Sequence, residues 1–154
     1  MCCVWCHVRL FIRGGSGRQR YSVLGAWNAV TNQLVNSYKR INEGYEAPRY
    51  VSWARNNRSA LVRVPIPKPG KVDSTRIEYR ALDPACNPYL AFSVLLAAGL
   101  RGIEDDLELS PEAAVNLYDL SRDEQREIGV DSLPDNLNEA LDEMEASELV
   151  REAL

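Results

Sequence analysis

The sequence predicts an α+β fold, and three observations carry that prediction. Short β-branched and aromatic runs fall between residues 50 and 81, helix signals dominate from Asn87 onward, and the composition is that of one globular core. The chain has 154 residues, 45% apolar and 26% charged, which is enough to bury a single core. Nothing in it repeats internally.

Taken in order, Tyr50-Val-Ser-Trp53, Ala60-Leu-Val-Arg-Val64 and Thr75–Ala81 read as strands. Pro65-Ile-Pro-Lys-Pro-Gly70 reads as a loop, because prolines at alternate positions remove ladder donors. Asn87-Pro88 opens a helix through Arg101, with the proline in the first turn where its missing N–H costs nothing. That helix is apolar almost all round, so it is expected to be deeply buried. Ser110-Pro111-Glu112 signals a second helix, and Ser121 with Glu124 offers a capping box for a third, ended by Gly129. Leu137, Leu141 and Met144 mark a fourth, and Ser147-Glu-Leu-Val150 begins a last one in which the sequence stops. The longest apolar run, Tyr89–Leu100, is shorter than the roughly 20 residues needed to span a bilayer.

Within Thr75-Arg-Ile-Glu-Tyr-Arg80 the charges alternate with apolar residues. Side chains alternate across a strand, so Arg76, Glu78 and Arg80 should share one face while Ile77 and Tyr79 take the other. Two guanidinium groups and a carboxylate aimed at one space make a polar site for an anion, with or without a metal. Arg40, Arg58 and Arg63 lie upstream, and the planar arginine fork suits phosphate and carboxylate. Residues 1–80 carry 14 Lys+Arg against 4 Asp+Glu, and residues 81–154 carry 4 against 18, so charges of +10 and −14 lie within a net of −4. A basic half can signal nucleic acid. Here the arginines sit in strand-like motifs beside carboxylates and lysine is scarce, so the reading is a small-anion site without nucleic acid. A plain interstrand ladder of salt bridges is the structural alternative for the same residues.

Residues 1–28 form an atypical segment. Cys3-Val-Trp-Cys6-His7 matches the C-x-x-C-H haem-attachment pattern in form, but no export signal precedes it and the chain has no other histidine. Cys2, Cys3, Cys6 and His7 are too close together for an easy zinc site. The expectation is a segment not native to the domain, with no amphipathic helix legible ahead of Val30. Cys86 is expected to be a buried free thiol, and nothing demands disulfides, which suits a reducing cytoplasm.

Six runs follow one another in order: Val30-Thr-Asn-Gln33, Val35-Asn-Ser-Tyr-Lys-Arg40, Gly44-Tyr-Glu-Ala-Pro48, Asn57-Arg-Ser-Ala60, Thr75–Arg80 and Asp83-Pro-Ala-Cys-Asn-Pro-Tyr-Leu90. Together they resemble the C-terminal half of the catalytic domain of a prokaryotic-type glutamine synthetase. The resemblance runs from about Ala29 to the end, giving a domain of residues 29–154 that is incomplete at both ends. It implies an antiparallel sheet with helices packed on it and a helical C-terminal third. It also implies a cytoplasmic homo-oligomer that uses ATP and Mg²⁺ or Mn²⁺ to ligate ammonia to glutamate.

Carried over position by position, the resemblance gives Arg40 and Arg80 to the glutamate carboxylates, with Glu46 and Arg58 also at that substrate. Arg58, Arg63, Lys71 and Arg76 fall to ATP, and Glu78 to a divalent metal. Glu46 becomes the flap carboxylate that helps strip a proton from ammonium, and Arg58 stabilises the transition state beside it. Tyr118, in Asn116-Leu-Tyr-Asp-Leu120, resembles the adenylylated tyrosine of some bacterial members, although Ser121-Arg-Asp-Glu124 departs from their proline-rich continuation. Ile41-Asn-Glu43 also departs from the usual residues ahead of the flap. The isolated chain is expected to be inactive, because most metal ligands are absent. A non-catalytic interaction module, a relative using another amine or acid, and a phosphate-binding protein of other purpose remain the alternatives.

Overall fold

The computed structural model of the chain describes residues 20–42, 47–71, 76–106, 109–127 and 130–154. Helix α1 (Arg20–Thr31) leads into α2 (Val35–Asn42), followed by strands β1 (Tyr50–Ala54), β2 (Ala60–Arg63) and β3 (Glu78–Tyr79). The long helix α3 (Pro88–Glu104) precedes a 3₁₀ turn at Leu117–Asp119 and three short helices, α4 (Arg122–Glu127), α5 (Leu137–Ala146) and α6 (Glu148–Ala153).

The α+β architecture is as expected, with two differences in its first half. A helix does precede Val30: α1 carries Ala26 and Trp27 fully into the core. Its sequence, with Gly25 and the β-branched Val23, Val30 and Thr31, gives little helical signal of its own. Its order comes from packing against α5, α3 and α6. The sheet is also mixed and not antiparallel throughout. β1 and β2 run parallel, pairing Trp53 with Val62 and Ala54 with Arg63, while β2 and β3 run antiparallel. Parallel neighbours usually need a crossover of a dozen or more residues. Here residues 55–59 alone return the chain, in a turn that side-chain bonds from Asn57 hold in place.

The outer edge of β1 is covered by residues 131–133, through Val51 N–H to Asp131 O at 2.8 Å and Leu133 N–H to Arg49 O at 2.8 Å. Trp27 meets Tyr79 edge-on at 6.3 Å between ring centres, joining α1 to the sheet. Val62, Trp53, Val94 and Leu133 complete the centre of this core.

Several helix signals act as expected. Asn87 caps α3 by accepting from the Tyr89 and Leu90 amides, and Ser121 and Glu124 bond reciprocally at the start of α4. Gly129 lies outside the described residues. The helix expected from Ser110 does not form. Glu112 is taken by Arg55, through its backbone N–H at 2.8 Å and its guanidinium at 2.7 Å, and Ala113 N–H donates to Trp53 O. Tertiary bonding at the end of β1 overrides the local helix signal there. Nor is α3 buried all round: only Ala91, Val94, Ala98, Gly99 and Gly102 are buried along it. Cys86 is a free thiol, half-buried where full burial was expected. No helix among the described residues is long and apolar enough to cross a membrane.

Candidate functional site

The alternation read at residues 77–80 holds. Ile77 and Tyr79 pack toward the core, and Glu78 and Arg80 take the opposite side. Arg63 lies directly across the ladder from Glu78, so it shares that face. The Glu78 carboxylate stands between two guanidinium groups, 3.4 Å from Arg63 Nη1 and 3.8 Å from Arg80 Nε. The Arg63 and Glu78 side chains are 43% and 40% exposed, and that of Arg80 is 21% exposed. Half-exposed pairs of this kind contribute about 0–1 kcal/mol each, too little to explain the cluster as a device for stability.

Arg58 joins the group through its backbone. Arg80 Nη1 donates to the Arg58 carbonyl and, at 3.2 Å, to Ala60 O, while the Arg58 side chain is exposed at the tip of the turn. Both neighbours of Arg58 are fixed. Asn57 Nδ2 donates to Ala113 O at 3.0 Å and to Val115 O, and Asn57 Oδ1 accepts from the amide and hydroxyl of Ser59. Ser59 Oγ in turn accepts from Leu117 N–H at 3.1 Å. Asn57 and Ser59 fall within the run Asn57-Arg-Ser-Ala60 but were given no role from sequence, although an Asn-x-Ser pair flanking an arginine is a turn signal that could have supplied one.

Arg40, on α2, reaches the segment after β3. Its Nη2 donates to Ala81 O at 2.6 Å and Leu82 O at 2.9 Å and reaches Asn32 Oδ1 at 3.5 Å, and its Nε is buried, which leaves Nη1 for a ligand. Lys71 and Arg76 are both exposed on the connection between β2 and β3. Arg76 lies ahead of the two-residue strand, so it does not share the strand face expected for it. Glu46 lies outside the described residues. Tyr118 is half-buried on the 3₁₀ turn, donates to Ala47 O at 2.9 Å and meets Tyr50 edge-on at 5.4 Å. Burial pushes its phenol above the ordinary value.

The structure thus brings Arg58, Arg63, Glu78 and Arg80 together and sets Arg40 behind the same strand. One carboxylate among arginines can occupy one position around a divalent cation. Among the described residues no three potential ligands form a metal-binding group, so further oxygens must come from phosphates, water or other protein groups.

A family model for the glutamine synthetase catalytic domain matches residues 21–154. The chain is 58% identical over 127 residues to a Mycobacterium tuberculosis protein named glutamine synthetase, covering 82% of this chain and 28% of that protein. It is 52% identical over 128 residues to the Methanosarcina mazei glutamine synthetase, covering 83% and 28%. A solved structure described as a GmaS/ADP complex superposes with a TM-score of 0.68 at 31% identity, covering 94% of this chain and 35% of that one. The chain therefore spans between a quarter and a third of the length of the curated relatives it matches. The matched residues include the strand and turn that gather the arginine cluster, and the chain belongs to the glutamine synthetase family.

Proposed function

We propose that this chain carries part of the substrate site of a ligase that joins ammonia to glutamate at the expense of ATP. The observation that carries the proposal is the convergence of Arg58, Arg63, Glu78 and Arg80 on one edge of the sheet in a chain of this family. The ADP in the GmaS/ADP complex, a structure of similar shape, supports nucleotide as one ligand.

In this reading the γ-carboxylate of glutamate attacks the γ-phosphoryl group of ATP, breaking its bond to the β-phosphate so that ADP leaves, and ammonia displaces phosphate from the resulting acyl phosphate. Such chemistry asks the protein for positioning and charge neutralisation above all. Arg63 and the Arg58 side chain face the phosphates, with Arg58 set to meet charge that develops during transfer. Lys71 and Arg76 approach from the β2–β3 connection. Arg40 and Arg80 hold the glutamate carboxylates with the donors their backbone contacts leave over, and Glu46 takes the proton from ammonium. Glu78 is the residue of this chain that would hold Mg²⁺ or Mn²⁺, which supplies neutralisation of phosphate charge when bound. The same reading carries a cytoplasmic location and a homo-oligomeric assembly.

A segment exchange tests it. The matched 127 residues of the Mycobacterium tuberculosis relative are replaced by those of this chain, and glutamine formation is measured with glutamate, ammonia and ATP. The hybrid should be active, and Arg58→Ala in it should lower kcat by about 10²–10³-fold, the scale of losing one preorganised donor. The isolated chain should show no activity above a heat-killed control. A hybrid that folds and assembles yet makes no glutamine, or one indifferent to Arg58→Ala, would overturn the proposal.

A further inference from the structure

Residues 110–116 form neither helix nor strand, yet they are laced along the end of β1 and the turn that follows it. Trp53 Nε1 donates to Ser110 O at 2.8 Å, and Ala113 N–H donates to Trp53 O at 3.0 Å. Glu112 accepts from both the amide and the guanidinium of Arg55. Asn57 Nδ2 then spans Ala113 O and Val115 O, and Leu117 N–H closes the row on Ser59 Oγ. Backbone groups of this strap at 110, 113, 115 and 117 are thus satisfied by residues 53–59 and not by a helix or sheet ladder of their own.

Arg58 sits between the last two anchors. Its side chain is exposed, so neighbouring side chains do little to aim it, and the reach of the guanidinium depends on the backbone it leaves. That backbone is held by Asn57 before it, by Ser59 after it, and by Arg80 Nη1 at its carbonyl. Ser59 is 1% exposed. Its hydroxyl accepts from Leu117 N–H and donates to Asn57 Oδ1 at 2.7 Å, so the two neutral side chains act as one clamp.

We propose that Asn57 and Ser59 are positioning residues that clamp the Arg58 turn to the strap and set kcat through Arg58, a role that rests on the ligase reading. Neither side chain is asked to touch substrate. A displacement of about 1 Å in a group that meets developing charge can cost about 10²-fold in rate. A loss that acts through Arg58 cannot exceed the loss from removing Arg58 itself.

The test is a double-mutant cycle in the segment-exchange enzyme, with kcat at saturating substrates, KM for ATP and thermal melts as readouts. Asn57→Ser removes both donors to the strap and keeps a side-chain oxygen for the Ser59 amide. Ser59→Ala removes the acceptor of Leu117 N–H. Each should lower kcat by about 10–100-fold, with KM for ATP within about threefold of the unsubstituted hybrid. In the Arg58→Ala background each should change kcat by less than about twofold, because the group they position is gone. Asn87→Ala, which uncaps α3, should lower the melting temperature and leave kcat unchanged. Should Asn57→Ser fail to fold, Ser59→Ala decides. Losses that multiply in full with Arg58→Ala, a KM effect with kcat intact, no effect of either substitution, or loss of folding in both would each overturn this role alone. An inactive hybrid, or one indifferent to Arg58→Ala, would overturn the ligase reading and this role with it.

Discussion

Glu143, on α5, lies against the α2 side of the fold, and its substitution by glutamine should change how stability depends on pH. Its Oε2 is buried, as is the hydroxyl of Tyr38 on α2, and among the described residues neither atom has a hydrogen-bond partner. Burial raises the carboxyl from an ordinary 4.5 to about 7, with the Glu139 charge one turn earlier adding to the effect. Glu143 and burial together raise the Tyr38 phenol, burial being the larger cause. A raised carboxyl pKa means the folded state holds a proton that the unfolded chain has released. The stabilisation is therefore complete below about pH 4.5 and lost as pH rises through about 7. At 1.36 kcal/mol per unit the shift corresponds to about 3 kcal/mol at most. The carboxyl is only half-buried, and screening by solvent reduces this to about 1–2 kcal/mol. Glu143→Gln removes the titration, so at pH 8 the variant should melt roughly 2–8 °C above wild type. At pH 4.5 the two should nearly coincide. Urea unfolding or differential scanning calorimetry at half-unit pH intervals reads this directly. Parallel stability curves for the two proteins from pH 4.5 to 8 would refute the reasoning.

Three further outcomes follow from named contacts. Asn57→Ala removes the bonds to Ala113, Val115 and Ser59, and should cost about 1–3 kcal/mol in urea unfolding, with faster amide exchange at residues 113–117. Asn87→Ala removes the α3 cap and should cost about 0.5–2 kcal/mol, read as a drop in the urea midpoint at unchanged slope. In the segment-exchange enzyme, Arg80→Ala should chiefly raise KM for glutamate, whereas Glu78→Gln should raise the Mg²⁺ concentration needed for half activity. Equal metal titrations for wild type and Glu78→Gln would leave Glu78 as a salt-bridge residue only.

The elements legible in the sequence were those set by neighbours along the chain. The alternation at residues 77–80 is a local rule, and the face it assigns to Glu78 and Arg80 is the face observed. The caps at Asn87 and Ser121 act over three residues and appear where the sequence puts them. What was not legible depended on partners far along the chain. Glu112 would suit a helix start, but Arg55, 57 residues earlier, claims its carboxylate. The five-residue return from β1 to β2 looks like a hairpin. It is a parallel crossover, and its Asn57 is held by carbonyls 56 and 58 residues away. Helix α1 has weak propensity and is made by the core that receives Trp27.

The candidate site divides along the same line. Sequence supplies the arginines, but it does not tell which of their donors are already committed. Arg80 gives donors to the Arg58 and Ala60 carbonyls before any ligand arrives, and Arg40 does the same for Ala81 and Leu82. A guanidinium can do this because its five donors point in fixed directions, so some bind backbone while others face outward. A lysine in either position has one charged centre and could not hold two carbonyls in that geometry while presenting a flat pair of donors to a carboxylate. The same contacts tie the turn bearing Arg58 to β3, so the Arg58 backbone is anchored even though its side chain is exposed. Asn57 and Ser59 extend that anchorage to residues 113–117, and Tyr118 extends it to Ala47. The arrangement of the cluster thus rests on neutral side chains as much as on charged ones. The motifs contain those neutral side chains but do not tell which backbone atoms they hold.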